Sequence, residues 1–321
     1  MANTIGWGKA TQNNDNGFGK YQNTIGAASI YAESYAGETA VVGTSAAFSY
    51  SASSYNQGEA DPTPTITGTA GGFFTSDAGV SFIDTSTGQI DLSASTIATH
   101  AITYIVDGVQ STQNVGITAI PYQSTRSFSF DGINDYFEIS NISSFATNTQ
   151  GSISFWLNFS GDTSTRYALG ISDANANTFL TIGIDTSENL DIIHRNSGSN
   201  LWRLTTTGNP ITLNTWQHIC LTQNGTACEV YVNGVKPTQS GAGTQWLSSL
   251  TGLDLLTIGA LYKSSALVNP IQGNIDEVSV WDSALSSDAI TEIYNSGAPN
   301  DLESLTNASS SNLVAWYKMG E

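Results

Sequence analysis

Asn214-Thr215-Trp216-Gln217-His218-Ile219-Cys220-Leu221 runs through Asn224-Gly225 into Cys228-Glu229-Val230-Tyr231-Val232-Asn233-Gly234. Large or β-branched side chains alternate with polar ones on both sides of an Asn-Gly pair. That is the pattern of two strands joined by a turn, and a second Asn-Gly closes the exit. The same pattern recurs outward from this hairpin. On the N-terminal side, Ser127-Phe128-Ser129-Phe130 alternates into Asp131-Gly132, Ile133 to Ile139 follows as turn and strand, and Gly151 to Asn158 places large apolar residues on one face. On the C-terminal side, Gly273 to Trp281 and Leu313 to Lys318 read as further strands. One helix is expected between Ala284 and Gly297, with Ser286 or Ser287 as N-cap, Asp288 in the first turn, an apolar stripe of Ala289, Ile290 and Ile293, and Gly297 as its stop.

Composition supports an all-β chain. Only 11% of the 321 residues are charged, and Gly, Ser, Thr and Asn take their place, which suits strands and turns better than helices. The 27 acidic residues outnumber the 9 basic ones and give a net charge of -18, which argues against a nucleic-acid partner. Acidity is spread: net -7 over residues 1–120 and net -11 over the rest. Two cysteines are too few for a disulfide scaffold or a four-ligand zinc site. No stretch approaches the ~18 apolar residues of a membrane span, so no membrane insertion is expected. Met1 to Lys20 lacks a basic start followed by an apolar run, so the expectation is assembly in a cytoplasm and exit by another route, such as release within a virion.

Three segments follow from the patterns. Residues 1–40 loosely repeat Asn, Gly, aromatic, Gly, Lys, and are expected to be an extended attachment arm without structure of its own when isolated. Trp7, Phe18 and Tyr21 are its candidate assembly contacts. Residues 41–120 read as a small β-sandwich, with strands at Ala46 to Tyr50, Thr65 to Thr67, Gln89 to Leu92 and Ala101 to Val106. Its Pro64 to Gly72, Ser86 to Leu92 and Ala101 strands resemble the immunoglobulin-like modules of bacterial surface and phage structural proteins. Residues 121–321 form the third segment. Phe130-Asp131-Gly132 with Asn134-Asp135-Tyr136, Phe155-Trp156, Trp216-Gln217-His218, Val230 to Gly234, Gly273 to Val278 and Leu313 to Lys318 occur in the order of the laminin-G-like branch of the concanavalin A-like lectin/glucanase jelly rolls, which this segment resembles. The resemblance implies a two-sheet jelly roll and leaves sugar binding, protein binding, glycan cleavage and architecture open. Arm, spacer and jelly roll together resemble structural proteins of marine tailed phages.

Catalytic patterns are sparse. The glucanases of this fold use a strand carrying Glu-x-Asp followed closely by a second Glu, and the only Glu-x-Asp here, Glu59-Ala60-Asp61, falls in the wrong segment and runs into Pro62. His100, His194 and His218 occupy separate contexts, and no catalytic residue is expected. Two of them read as structural, and His194 beside Arg195 is a weaker ligand candidate. The resemblance implies calcium as a bound ion, with Asp131, Asn134, Asp135 and Asp276 as its oxygen donors; the competing reading is that Asp131-Gly132 and Asn134-Asp135 form turns in which Asp bonds its own backbone. Cys220 and Cys228 would stand opposite each other across the hairpin, as a cross-strand disulfide or as a reduced pair. Sugar binding calls for exposed aromatic faces in a polar groove. Trp156, Trp216 and Trp316 fall in core blocks and read as packing, which leaves Trp202 and Trp246, with Tyr262, as glycan candidates.

These readings give a non-enzymatic virion structural protein, attached to the particle by its arm, with other virion proteins and copies of itself as partners, and displaying a lectin-like domain toward a host glycan or protein. The alternative is a bacterial surface adhesin or carbohydrate-binding module, and a glycan depolymerase is the third.

Overall fold

The computed structural model describes residues 20–25, 28–33, 41–241 and 243–320, with the backbone alone before residue 43. Within the arm, β1 (Lys20–Ile25) and β2 (Ala28–Glu33) pair antiparallel, and β3 (Val41–Val42) adds to β2. Residues 20–25 and 28–33 of the expected extended arm are thus paired strands. Trp7 and Phe18 lie outside the described residues, and Tyr21 belongs to β1, whose backbone alone is described.

Residue contacts divide the chain after Pro121. In the first unit, β5 (Ser54–Asn56), β7 (Phe73–Ser76), β10 (Ala98–Val106) and β11 (Val109–Thr118) form a sheet ordered β5-β11-β10-β7. Two short pairs complete it, β4 (Phe48–Ser49) with β6 (Thr65–Ile66) and β8 (Ser81–Asp84) with β9 (Gln89–Asp91). Phe48, Phe74 and Tyr104 pack ring against ring at its centre, with Phe74 and Tyr104 4.7 Å apart. Strand β11 escaped the sequence reading because Gln110 to Asn114 are all polar. Its register is set by the Asp107-Gly108 turn, where both residues have positive φ, as a two-residue hairpin requires.

The second unit is a two-sheet sandwich. Strands β12 (Phe128–Asp131), β14 (Gly151–Phe159), β19 (Trp216–Gln223), β20 (Cys228–Val232) and β25 (Gln272–Trp281) form one sheet, ordered β12-β25-β14-β19-β20, with β26 (Leu313–Tyr317) also on β25. The other sheet contains β13 (Phe137–Ile139), β15 (Arg166–Ser172), β16 (Phe179–Ile184), β17 (Leu190–Asn196), β18 (Ser199–Thr206), β21 (Gln239–Ser240) and β22 (Leu255–Ile258), ordered β13-β22-β15-β16-β17-β18-β21. A hairpin of β23 (Leu261–Lys263) and β24 (Ala266–Val268) follows β22. The facing sides share one apolar core, in which Ile153, Phe155, Leu157 and Phe159 of β14 meet Leu180, Ile182, Ile184, Ile192 and Leu204 of the other sheet.

The six-stranded sheet is buried on its outer face as well. Helix α1 (Ser287–Tyr294) and the chain on either side of it cover Cys220 and Trp281 with Leu285, Ala289, Ile290, Ile293 and Leu302. Ser286 is the N-cap, its side chain accepting from the Ala289 N–H. The helix stops earlier than expected: Asn295, with φ of 44°, takes the C-cap role assigned to Gly297. Glu292 fastens the cover. Burial opposes its charge, but four donors on Thr306 and Asn307 outweigh that and hold its carboxyl down to about 2.

The hairpin register corrects the cysteine expectation. Cys220 pairs with Tyr231 and Cys228 with Gln223, so the two thiols point to opposite faces, Cys228 into the sandwich core and Cys220 under the helix. Both are free and buried, and burial pushes both thiols up.

Candidate functional site

The outer face of the six-stranded sheet carries Trp156 of β14, Trp216 of β19 and Asp276 of β25. These side chains alternate with the core-facing Leu157, Ile219 and Ile275. A β-bulge then changes the alternation. Ser154 pairs with Ser279 but Trp156 with Asp276, so β25 contains one extra residue at this point, and Glu277 takes a positive φ of 54°. With Ile275 and Val278 both in the core, two consecutive carboxylates are turned to the outer side. Asp276 receives the Ser124 hydroxyl at 2.6 Å and the Glu277 N–H at 2.9 Å. Glu277 receives the Tyr122 hydroxyl and the Trp316 indole N–H, each at 2.6 Å. Burial raises the Glu277 carboxyl above the usual range against the pull of these donors.

A groove of about 290 Å³ opens beside this pair. Trp156 and Asp276 line it together with Ser124 to Ser127, with Gly297 and Pro299 beyond the helix, and with Trp216, which is 39% exposed. Covering of the sheet by the helical segment ends short of Trp216, and Asn295 and Ser296, both with positive φ, redirect the chain there. An exposed indole face beside a carboxylate, a guanidinium and hydroxyls is the donor set that stacks on a sugar ring and bonds its hydroxyls. The volume lies at the lower end of small-ligand sites and suits one ring better than an extended chain.

The aromatic candidates from sequence are placed differently. Trp202 is 5% exposed, lies 4.9 Å from and parallel to His194 in the core, and donates its indole N–H to the Gln245 carbonyl. Trp246 is 2% exposed and packs into the same core. Both expectations of exposure are corrected: Trp202 sits at an inward position of β18, and the loop with Trp246 folds back over the sandwich. Tyr262 is half-buried, stacked 6.1 Å from the exposed Tyr136. The groove aromatic is Trp216, a residue whose place in a core block of the sequence reads as packing. Its strand position gave its face, but nothing local showed that the cover stops before it.

Asp131 caps its own turn, accepting from the Ile133 and Asn134 N–H groups, while Asp135 accepts from the Asp131 N–H. Asp276 lies four residues along β25 from Gln272, the partner of Asp131, or roughly 13 Å away at strand rise. The four calcium candidates therefore do not converge on one point, and among the described residues no three His, Cys, Asp or Glu side chains do. His194 is also corrected as a ligand candidate. It is buried and bonds the Trp246 carbonyl, and burial lowers it to about 4 against that bond. His100 is bonded to Asp77 and to the Thr96 carbonyl. Glu59 and Asp61 accept from Asn56 and the Leu92 N–H within the first unit, far in sequence from the groove.

A family model described as the concanavalin A-like lectin/glucanases superfamily matches residues 131–291. Among solved structures, a proposed carbohydrate-binding protein from Bacteroides ovatus ATCC 8483 is similar at a TM-score of 0.51 and 15% identity, over 85% of this chain and 90% of that one. The CBM40 domain of the Ruminococcus gnavus IT-sialidase, solved with α2,3-sialyllactose, aligns at a TM-score of 0.46 and 15% identity, over 53% of this chain and 99% of that one. The NanB sialidase of Streptococcus pneumoniae aligns at 0.45 and 16%, over 57% of this chain and 29% of its own. At these identities the likeness is one of fold. No curated protein matches the sequence.

Proposed function

Because the chain belongs to the concanavalin A-like lectin/glucanase superfamily through residues 131–291, we propose that residues 122–321 act as a carbohydrate-binding domain that holds a sugar in the Trp216 groove. The observation that carries this reading is the exposed indole of Trp216 on a groove that also presents Asp276, Arg126 and serine hydroxyls. The domain is non-catalytic. Glu277, the carboxylate next to Asp276, is occupied by Tyr122 and Trp316, and Asp276 is tied to Ser124.

The test is a glycan array on the full chain, followed by calorimetric titration of the best ligand. Trp216→Ala is expected to weaken binding at least about tenfold, equivalent to ~1.4 kcal/mol, with the melting temperature little changed because the side chain is partly in solvent. No reducing sugar should be released during the titration. Unchanged affinity in Trp216→Ala removes the groove as the site. Display on a virion through the arm remains the finer proposal; its support is the sequence repeat in residues 3–26.

A further inference from the structure

The seven-stranded sheet has its own outer face. Leu180, Ile182 and Ile184 of β16 point into the core, so Phe179, Thr181 and Gly183 point away from it. Phe179 is nevertheless 2% exposed and belongs to no apolar cluster. Two cations lie over it. The Arg195 guanidinium, on the residue paired with Phe179 in β17, is 6.0 Å from the ring centroid, and the Lys263 ammonium, from the β23 hairpin, is 5.7 Å from it. Tyr167 lies on the same face, against Gly183, where any Cβ would meet its ring at 2.7 Å.

One cation over an aromatic ring is an ordinary packing device. Two on one ring are not explained that way. The two distances put the cations no more than about 12 Å apart, near the ~10 Å screening length at 0.1 M salt, so each stands largely by itself as a positive charge in need of a counter-ion. Neither has a carboxylate partner among the described residues, although acids outnumber bases three to one in the chain. Among the described residues the Arg195 Nε is buried without a hydrogen-bond partner, an unfavourable state for a charged group. Nearby acids are engaged elsewhere. Asp191 takes two bonds from Arg203, and Asp173 and Asp254 accept backbone N–H groups of residues 174–176. Arg195, Arg203 and Lys263 are three of only seven bases in residues 121–321.

We propose that Arg195 and Lys263, seated on Phe179, form an anion site for a carboxylate or sulfate group carried by an acidic polysaccharide. The anion supplies the counter-charge that both cations lack, and Tyr167 supplies an aromatic surface for the adjoining sugar. That the anion is borne by a sugar rests on the glycan-binding reading above; the anion site itself does not. It lies on the opposite sheet from the Trp216 groove and works independently of it.

Full-length protein is titrated with dextran sulfate, polygalacturonate, neutral dextran and sodium sulfate. Binding to at least one charged polymer is expected, weakening from about 50 to about 200 mM NaCl, with none to neutral dextran. Lys263→Met keeps the stem that packs on Phe179 and removes the charge, and should weaken charged-polymer binding at least about fivefold at unchanged melting temperature. Arg195→Gln should do the same, while Lys236→Gln, a surface change elsewhere, should not. Binding of sodium sulfate alone, with no polymer bound, confirms the anion site and overturns the acidic-polysaccharide assignment. Wild-type affinity in Lys263→Met, absence of binding by any anion, or loss in Trp216→Ala without loss in Lys263→Met overturns the site itself.

Discussion

His218 is completely buried on β19, 5.6 Å from the Trp156 ring, and neither of its ring nitrogens has a hydrogen-bond partner among the described residues. Burial lowers its pKa to about 3, and His194 on the other sheet is lowered to about 4. The unfolded chain takes up a proton on each below about 6.5, while the native state does not. Stability contributed by these neutral rings is therefore present above that pH and lost as pH falls toward 3 to 4, at up to ~1.4 kcal/mol per pH unit for each. His218→Leu removes the unpartnered polar ring and one of the two titrations. It should be at least as stable as wild type at pH 7 and lose less stability by pH 4.5, measured by urea unfolding at both pH values. Equal losses in the two proteins would show that His218 is already paired or protonated in the native state. The same residue scale separates Trp216 from Trp202. Each alternates on a strand, and each is large and apolar; one faces an uncovered end of a sheet and the other the core.

Among the elements, β25 carries the most information. It is the shared neighbour of β12, β14 and β26, and its bulge turns Asp276 and Glu277 to one side. Gly273, just before, has a φ of 144°, and a Cβ there would lie 2.2 Å from the Asn158 carbonyl oxygen of the adjacent strand. Because that oxygen belongs to sheet backbone, it cannot move aside cheaply. Gly273→Ala should cost about 3 kcal/mol or more, read as a lowered urea midpoint or loss of soluble protein. A midpoint within error of wild type would mean that the strand can shift, and that the bulge is not fixed by its neighbours. The hairpin of β19 and β20 was legible from Asn224-Gly225 and the alternation around it, and so was the N-cap of the helix at Ser286. The bulge left only a trace, the shift of the apolar positions from Ile275 to Val278 and Val280 across Asp276-Glu277, and nothing local said what the two carboxylates would meet. Strand β11 was hidden, its polar run giving no alternation to read.

For the whole molecule, charge and architecture work together. A net charge of -18 keeps copies apart, which makes the cation pair on Phe179 stand out against its surroundings. If the arm is the means of assembly, removing residues 1–40 should leave glycan affinity unchanged and abolish incorporation with partner subunits, followed by co-sedimentation; normal incorporation would sink that role. The all-β class, the jelly-roll order of the strands and the Asp131 turn were legible in the amino-acid pattern alone. These depend on side-chain period and turn chemistry, which act over a few residues. The folded chain was needed to show which tryptophan is open to a ligand, that the two cysteines face apart, and that Arg195 and Lys263 share one ring. Those outcomes depend on where a covering segment ends, on hairpin register and on strands distant in the chain, and local pattern carries none of that.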